Sequence, residues 1–444
     1  MKRNNGSNPR RDFLKTSGLL VAAGALAGSI VPKVHAAENN TIKIAGIGCG
    51  GRGRGAIKQA LSTAGPTKLV ALADAFDSQA SKCGEFLKKE LGDKVDVEGR
   101  VFSGLDSYKK AIDCLDPGDV VVMATPPAFR PFHFAYAVEK GVHIFCEKPV
   151  AVDAPGCKMM LEANKKALEK NLKIVVGLNN RHYFRTEETI KAIQDGAIGD
   201  IISCWVYRLQ NEMGCAFDAN KTPLQNQLTH HNGWTWLSGS FMVDWMIHNV
   251  DICCWARKEM WPVSVEGQGG RQVRTARDQM YDHCAYEYRF EDGVKMMVQL
   301  RQIPKVWNSF RAVIHGNKGA AVVGEGVVGP AIYKGYREVP ENVIWKPKAE
   351  QCNSYQVEHD RLFAAIREDK PWNEVERGVK ATFATIMARM AVDSGQELSY
   401  DTCWNSTYQM AKDVDKLTMD SPSPYMPKED GSYELAVPGV TKQY

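Results

Sequence analysis

Asp244 and His248 stand four residues apart in Gly-Ser-Phe-Met-Val-Asp-Trp-Met-Ile-His-Asn-Val-Asp, residues 239–251. Read as a helix, this spacing puts carboxylate and imidazole on one face, one turn apart, so that the first can orient the second. Their neighbours Met242, Trp245, Met246, Ile247 and Val250 are apolar, so both polar groups leave water and their protonation responds to it. An oriented neutral imidazole can take a proton from a hydroxyl. The same pair also serves as a satisfied hydrogen bond in a core, and the local pattern alone does not separate the two. A second chemical landmark is Glu147-Lys148-Pro149, which follows a short apolar run at 142–146. A lysine held at a strand's carboxyl end by a residue of fixed φ can stabilise a developing alkoxide, although an isolated Lys-Pro is usually a surface turn.

The elements that must position these groups begin with an apolar strand at 41–47. It runs into Gly48-Cys49-Gly50-Gly51-Arg52-Gly53 and then a helical stretch at 54–61. Strand, glycine-rich turn and helix let a backbone approach a pyrophosphate while the helix points its amide-rich end at it. A second G-x-G register starts at Gly46; the one from Gly48 leaves a full strand ahead. The next strand, 68–73, ends in Asp74, 21 residues past Gly53, where a carboxylate bonds the ribose hydroxyls of a dinucleotide. An aspartate there repels a 2′-phosphate and favours NAD over NADP, with Arg52 and Arg54 in the turn as a counterweight.

The alternation continues with helices at 78–91 and 107–114, a short strand near Val101 and a nearly all-apolar strand at 119–124, the pattern of a parallel sheet covered on both faces. Thr125-Pro126-Pro127 breaks the chain at that strand's carboxyl end, where such sheets bind ligands. His133 follows on a helix, as a cofactor contact or as an ordinary helix histidine. A helix at 153–171 and strands at 174–178 and 201–209 come next. Strands at 284–290 and 294–300 are joined by a Glu291-Asp292-Gly293 turn, and strands at 310–315 and 320–323 flank Gly316-Asn317-Lys318-Gly319.

The chain has 444 residues, 44% hydrophobic and 24% charged, with a net charge of +4 and no long basic run. That is the balance of a globular protein of two or three domains, and it gives no reason to expect nucleic acid or an anionic membrane as the partner. Residues 1–36 read as a targeting segment. Arg10-Arg11-Asp12-Phe13-Leu14-Lys15 pairs a twin arginine with an apolar dipeptide, 19–30 is an Ala/Gly-rich run too short to span a bilayer, and Val34-His35-Ala36 offers a cleavage site. A disordered basic tail would explain the arginines but not the three features together. The pattern resembles the bacterial twin-arginine export signal, whose route carries proteins already folded, and implies a periplasmic or otherwise exported protein with no membrane anchor after cleavage. All 12 cysteines follow residue 36, and none forms a C-x-x-C pair, which removes zinc-ribbon and thioredoxin readings.

The glycine turn, Asp74, Thr-Pro-Pro, Cys-Glu-Lys-Pro-Val, Val-Gly-Leu-Asn-Asn-Arg, Gly199-Asp200-Ile201 and Asp-x-x-x-His with Asp251 behind it, taken in this order, resemble the glucose–fructose oxidoreductase, inositol dehydrogenase and MocA family. The resemblance implies an α/β protein: a Rossmann NAD-binding domain at 37–176, then an α/β substrate and oligomerisation domain at 177–405 with a large, mostly antiparallel open sheet. It implies NAD bound by Gly48, Gly50, Gly51, Arg52, Gly53, Asp74, Thr125, Pro126, His133, Glu147 and Lys148. It also implies catalysis by His248 as general base, Asp244 orienting it, and Lys148 stabilising the substrate oxygen. A homo-oligomer acting on a small carbohydrate is the expected assembly.

The mixed aromatic and polar residues before the catalytic stretch, His230, His231, Asn232, Trp234 and Trp236, suit a sugar ring, and Arg181, His182 and Tyr183 could reach the same pocket. Core or interface packing explains the tryptophans equally well. A metal held by His230, His231, Asp244, His248 and Asp251 is disfavoured, because the chemistry needs the imidazole free. Residues 354–397 read as two helices around Lys370-Pro371-Trp372, with Glu358 and His359 either near the site or on a solvated face. The stretch 406–444 reads as an extended arm or tail, able to cross a partner subunit.

Three functions fit. The first is an exported oxidoreductase acting on a secondary sugar hydroxyl, its NAD tightly bound and recycled in place because free NAD is scarce outside the cytoplasm. The second uses the same site for transient oxidation that acidifies a neighbouring C–H and permits glycoside cleavage, with Tyr183 or His230 as the extra base. The third is an NAD-containing sugar-binding scaffold, against which the intact Lys148, Asp244 and His248 argue.

Overall fold

Apolar runs separated by amphipathic stretches produce a strand–helix alternation over the first part of the computed structural model, which describes residues 40–324 and 329–444. The elements are β1 (Ile42–Ile47), α1 (Gly51–Leu61), β2 (Thr67–Asp74), α2 (Asp77–Leu91), β3 (Val101–Ser103), α3 (Ser107–Asp113), β4 (Val120–Met123), α4 (Arg130–Lys140), β5 (His143–Cys146), α5 (Ala154–Glu169) and β6 (Ile174–Val176). The strands pair in parallel in the order β3-β2-β1-β4-β5-β6. Strand order reverses between β1 and β4, so the loops at their carboxyl ends diverge and leave a crevice. Two glycines make the turn there possible. Gly48 has φ +84°, and a Cβ on it would stand 2.7 Å from the Ala124 carbonyl carbon; a Cβ on Gly53 would stand 1.7 Å from the Gly48 carbonyl oxygen. Any side chain at either position would push α1 off β1 and β4.

The remaining helices are α6 (Phe184–Gln194), α7 (Pro223–Thr229), α8 (Thr235–Ser238), α9 (Phe241–Asp244), α10 (Ile247–Ala256), α11 (Ser354–Arg367), α12 (Val375–Ser394) and α13 (Tyr400–Trp404). They accompany β7 (Ile201–Gln210), β8 (Ser264–Gly270), β9 (His283–Arg289), β10 (Lys295–Gln302), β11 (Ser309–Gly316), β12 (Gly319–Gly324), β13 (Ala331–Lys334), β14 (Val343–Trp345) and β15 (Leu398–Ser399). These nine strands form a second sheet, β14-β13-β12-β11-β7-β10-β9-β8-β15, antiparallel except between β7 and β10. Both expected hairpins are present: Phe290 N–H donates to the Val294 carbonyl across a turn with Gly293 at φ +85°, and Gly316 pairs with Gly319. Buried along most of its length, α12 packs on β8 of one sheet and on α5 beside the other.

The structure corrects two expectations. The stretch 239–251 is not one helix, because α9 stops at Asp244 and α10 starts at Ile247. Nor is 406–444 a free arm: it is mostly irregular but folds back on its own chain. Gln443 Nε2 donates to Asp393 at 2.9 Å, Ser406 Oγ to the Gln443 carbonyl at 2.7 Å, and Tyr281 Oη to the Ala436 carbonyl at 2.7 Å. All 12 cysteines are free. No helix among the described residues is long and apolar enough to cross a membrane. The twin-arginine segment lies outside the described residues.

Candidate active site

The crevice between β1 and β4 opens into a cleft of about 450 Å³, whose wall includes Gly48, Gly50, Gly51, Asp74, Thr125, Pro126 and His133. The carboxylate of Asp74 accepts the Cys49 N–H at 2.7 Å and the Phe76 N–H at 3.0 Å, which fixes it at the end of β2 beside the glycine turn; burial raises its pKa. Nothing lies within 4 Å of where a Cβ on Gly50 or Gly51 would stand, so the first turn of α1 presents bare backbone to the cleft. Unpaired N–H groups at such an end attract a diphosphate. On the facing wall, Thr125 Oγ1 lies 3.2 Å from His133 Nδ1, and the His133 ring stacks on Tyr108 at 4.0 Å. Burial beside the Arg130 charge pushes the His133 pKa down to about 3, so this imidazole is neutral at physiological pH. Tyr108 and Phe76 also line the cleft, and no spacing rule had singled them out.

A buried arginine connects Thr125 of the cleft wall to the loop that carries Lys148. Arg130 donates from one guanidinium to the carbonyls of both Thr125 and Pro149, tying the loop after β4 to the loop after β5. No motif marks Arg130 in the sequence; its place just after the Thr-Pro-Pro break is the available signal. Lys148 Nζ donates to the Asp244 carbonyl at 2.7 Å and to Asp244 Oδ1 at 3.1 Å. Asp244 thus bonds the lysine, and among the described residues no hydrogen bond joins it to the His248 imidazole.

His248 stands in the first turn of α10 with its Nδ1 buried and without a hydrogen-bond partner among the described residues. Burial, with the Lys148 and Arg208 charges nearby, holds its pKa well below 6.5 and keeps the ring neutral. The site therefore pairs an ammonium with a neutral imidazole.

Behind His248, Asp251 accepts two hydrogen bonds from Arg181, at 2.7 and 2.8 Å, and Arg181 reaches Glu259 at 2.6 Å while stacking on Trp255 at 4.9 Å. Arg181 is thus a core ion-pair residue that anchors α10, not a sugar contact. Replacing it by Met leaves Asp251 buried and unpaired and is expected to cost about 3–5 kcal/mol. The measurement is the urea midpoint at unchanged slope, with Glu259→Gln, whose side chain is exposed, as the mild comparison.

Other expected contacts also move. Trp234 is buried against Tyr433 at 4.4 Å, and Trp236 is fully buried with its Nε1 donating to Gln227 at 2.7 Å. Both belong to one apolar cluster and offer no face to a sugar. His230 ends α7 half-buried, whereas its neighbour His231 lines the cleft, within electrostatic reach of Asp244, Arg130 and Lys148. Tyr183 precedes α6, half-buried, and its phenol makes no hydrogen bond among the described residues. Arg52 and Glu147 pair with one another, and neither lines the cleft. Among the described residues no group of three or more His, Cys, Asp or Glu is placed to hold a metal ion, and Asp251 is already committed to Arg181.

Comparison with known proteins agrees with this architecture. Residues 42–176 match the model of the oxidoreductase family with an NAD-binding Rossmann fold, and residues 187–322 match the GFO/IDH/MocA C-terminal domain. An inositol 2-dehydrogenase of Serratia proteamaculans is 27% identical over 265 residues, 59% of this chain and 67% of that protein. A glycosyl hydrolase family 109 protein of Shewanella baltica is 24% identical over 225 residues, 46% of this chain and 47%, about half, of the relative. The scyllo-inositol dehydrogenase of Lactobacillus casei, solved with NAD(H) and scyllo-inositol, shares the fold with a TM-score of 0.60 at 19% identity, over 82% of this chain and 100% of that one. With two consecutive matches from one family covering more than half of the sequence, the chain belongs to the Gfo/Idh/MocA family of NAD-binding oxidoreductases.

Proposed function

We propose that this protein is an exported NAD-dependent oxidoreductase that acts on a secondary hydroxyl of a sugar or sugar derivative and keeps its cofactor bound between turnovers. The observation that carries the reading is the Lys148–Asp244 pair beside a neutral His248, joined to the nucleotide cleft through Arg130 and His231. NAD bound in the cleft supplies the hydride acceptor. The residues present fit it: bare glycine backbone for the diphosphate, and Asp74 at the end of β2 for the ribose, which favours NAD over NADP. His248 takes the hydroxyl proton as general base. Lys148, held by Asp244, stabilises the oxygen as negative charge develops on it. Arg130 keeps the two loops together and so fixes the distance between the cleft and the lysine.

A second reading shares these steps. Transient oxidation of a ring carbon one removed from the glycosidic carbon acidifies the C–H between them; a base that takes that proton lets the glycosidic substituent leave, after which water adds and the carbonyl is reduced again by the same hydride, with no net redox change. The similarity to glycosyl hydrolase family 109 proteins favours this reading, and His231, which lines the cleft, replaces Tyr183 and His230 as the residue for the step. Export rests on the Arg10-Arg11 pattern. Self-association rests on the likeness to the family alone.

The test is to release small molecules from the folded, exported protein with acid, identify any nicotinamide, and follow its reduced-form absorbance as sugars and glycosides are added. Reduction that persists is the expected outcome for the oxidoreductase. Glycoside cleavage without net reduction supports the second reading. Recovery of no nicotinamide, with no turnover on adding NAD, overturns both and leaves a binding protein.

A further inference from the structure

Two carboxylates from distant parts of the chain share one guanidinium beneath the glycine turn. Arg52, the second residue of α1, forms ion pairs with Glu147, just past β5, and with Glu358 of α11 at 3.0 Å. Its Nη1 donates to Gln59 at 2.8 Å, and its Cζ lies 4.5 Å from the Tyr355 ring centroid. Glu358 is fully buried, and its Oε2 has no partner among the described residues. Glu147 is buried as well, in a space that Gly177 leaves open: a Cβ there would stand 2.9 Å from Glu147 Oε2. That same oxygen accepts the Lys148 N–H at 3.2 Å. Neither carboxylate lines the nucleotide cleft, and neither takes part in the steps above.

Two buried carboxyl groups around one guanidinium are held in place only while it sits between them. Arg52 lies between Gly51, whose backbone faces the cleft, and Gly53, whose packing sets the angle of α1. Glu147 immediately precedes the catalytic lysine. We propose that Arg52 is a positioning residue, clamped by Glu147 and Glu358, that locks the glycine turn of the nucleotide cleft to the strand end carrying Lys148. Glu358 is the anchor that α11 contributes. Burial and the neighbouring Glu147 charge raise its pKa well above the carboxylate range, so a neutral side chain can do the same work. The other titratable groups around it are Glu374 ahead of α12, and Tyr355 and His359 of α11 itself, with His182 beyond.

The inference deepens the oxidoreductase reading, but its main test needs no turnover. NAD affinity is measured by titration calorimetry on the full chain for Arg52→Met, Glu358→Ala, the double variant and Glu358→Gln. The single variants Arg52→Met and Glu358→Ala are each expected to weaken binding about tenfold, and the double variant no more than Arg52→Met alone. Glu358→Gln, which keeps an acceptor for Arg52, is expected to restore affinity to within about twofold of the parent. If Arg52→Met does not fold, Arg52→Lys, which can serve only one carboxylate at a time, takes its place in the cycle. Unchanged affinity in Glu358→Ala, multiplicative losses in the double variant, or failure of Gln to rescue would each overturn the proposal. A parent that binds NAD but turns over no sugar counts against the oxidoreductase reading and leaves this cycle standing.

Discussion

With His248 as the proposed base, His248→Ala is expected to lower kcat by about 10²- to 10⁴-fold while leaving NAD affinity close to that of the parent, because the ring does not line the nucleotide cleft. The pH profile gives the sharper check. A base works only when unprotonated, and this imidazole is held neutral by burial and by the Lys148 and Arg208 charges. Its folded pKa lies below that of a free imidazole, so activity persists as pH falls through 6.5 and is lost only below, when the ring finally takes a proton. The measurement is kcat against pH at saturating substrate. An acid limb at or above 6.5 would show that another group is the base or that the ring is solvated when substrate is bound.

The second large effect is at Lys148. Lys148→Met removes the charge paired with Asp244 and is expected to reduce kcat by about 10²- to 10³-fold, the usual consequence of removing a group aimed at developing oxyanion charge. Asp244→Asn keeps the backbone carbonyl that accepts the 2.7 Å bond from Nζ, so it should cost less than Lys148→Met. In the double variant the two losses should fall short of multiplying, because both act through one ammonium position. Full multiplicativity would mean that Asp244 has a separate contact with substrate. Rates at saturating substrate, compared with KM, distinguish loss of oxygen stabilisation from loss of binding.

The two halves of the site differ in how much of them local sequence shows. The glycine turn, Asp74 and the Thr-Pro-Pro break obey rules that span a few residues, since φ, backbone approach and strand ends are local matters, and residues of all three line one cleft. Asp244 and His248 looked like partners because helical spacing was assumed through 245–246. That stretch is apolar all round, so no periodicity marked the break, and what Asp244 holds instead is a lysine 96 residues earlier. Trp234 and Trp236 have the composition of a sugar platform, but Tyr433 and Gln227 bury them, and neither contact shows in the composition of that stretch. Arg52 and Glu358 are 306 residues apart, a pairing that topology alone creates. The tail misled for a related reason: few periodic apolar positions look like solvent exposure, yet it is held by hydrogen bonds to Asp393, Arg389 and Gln227.

The apolar layer under α1 is completed late. Leu362, Phe363 and Ile366 of α11 pack in one cluster with Ile42, Ile57 and Leu61, and the Val176 N–H is satisfied by Glu374. During synthesis the six strands of the parallel sheet leave the ribosome well before the segment that covers this face. A nascent chain ending near residue 180 would therefore display Ile57, Leu61 and their neighbours to the cytosol, a surface that invites chaperone binding until translation supplies α11. Completing the nucleotide-binding half of the molecule is a late event in the life of the chain, although its strands are made first.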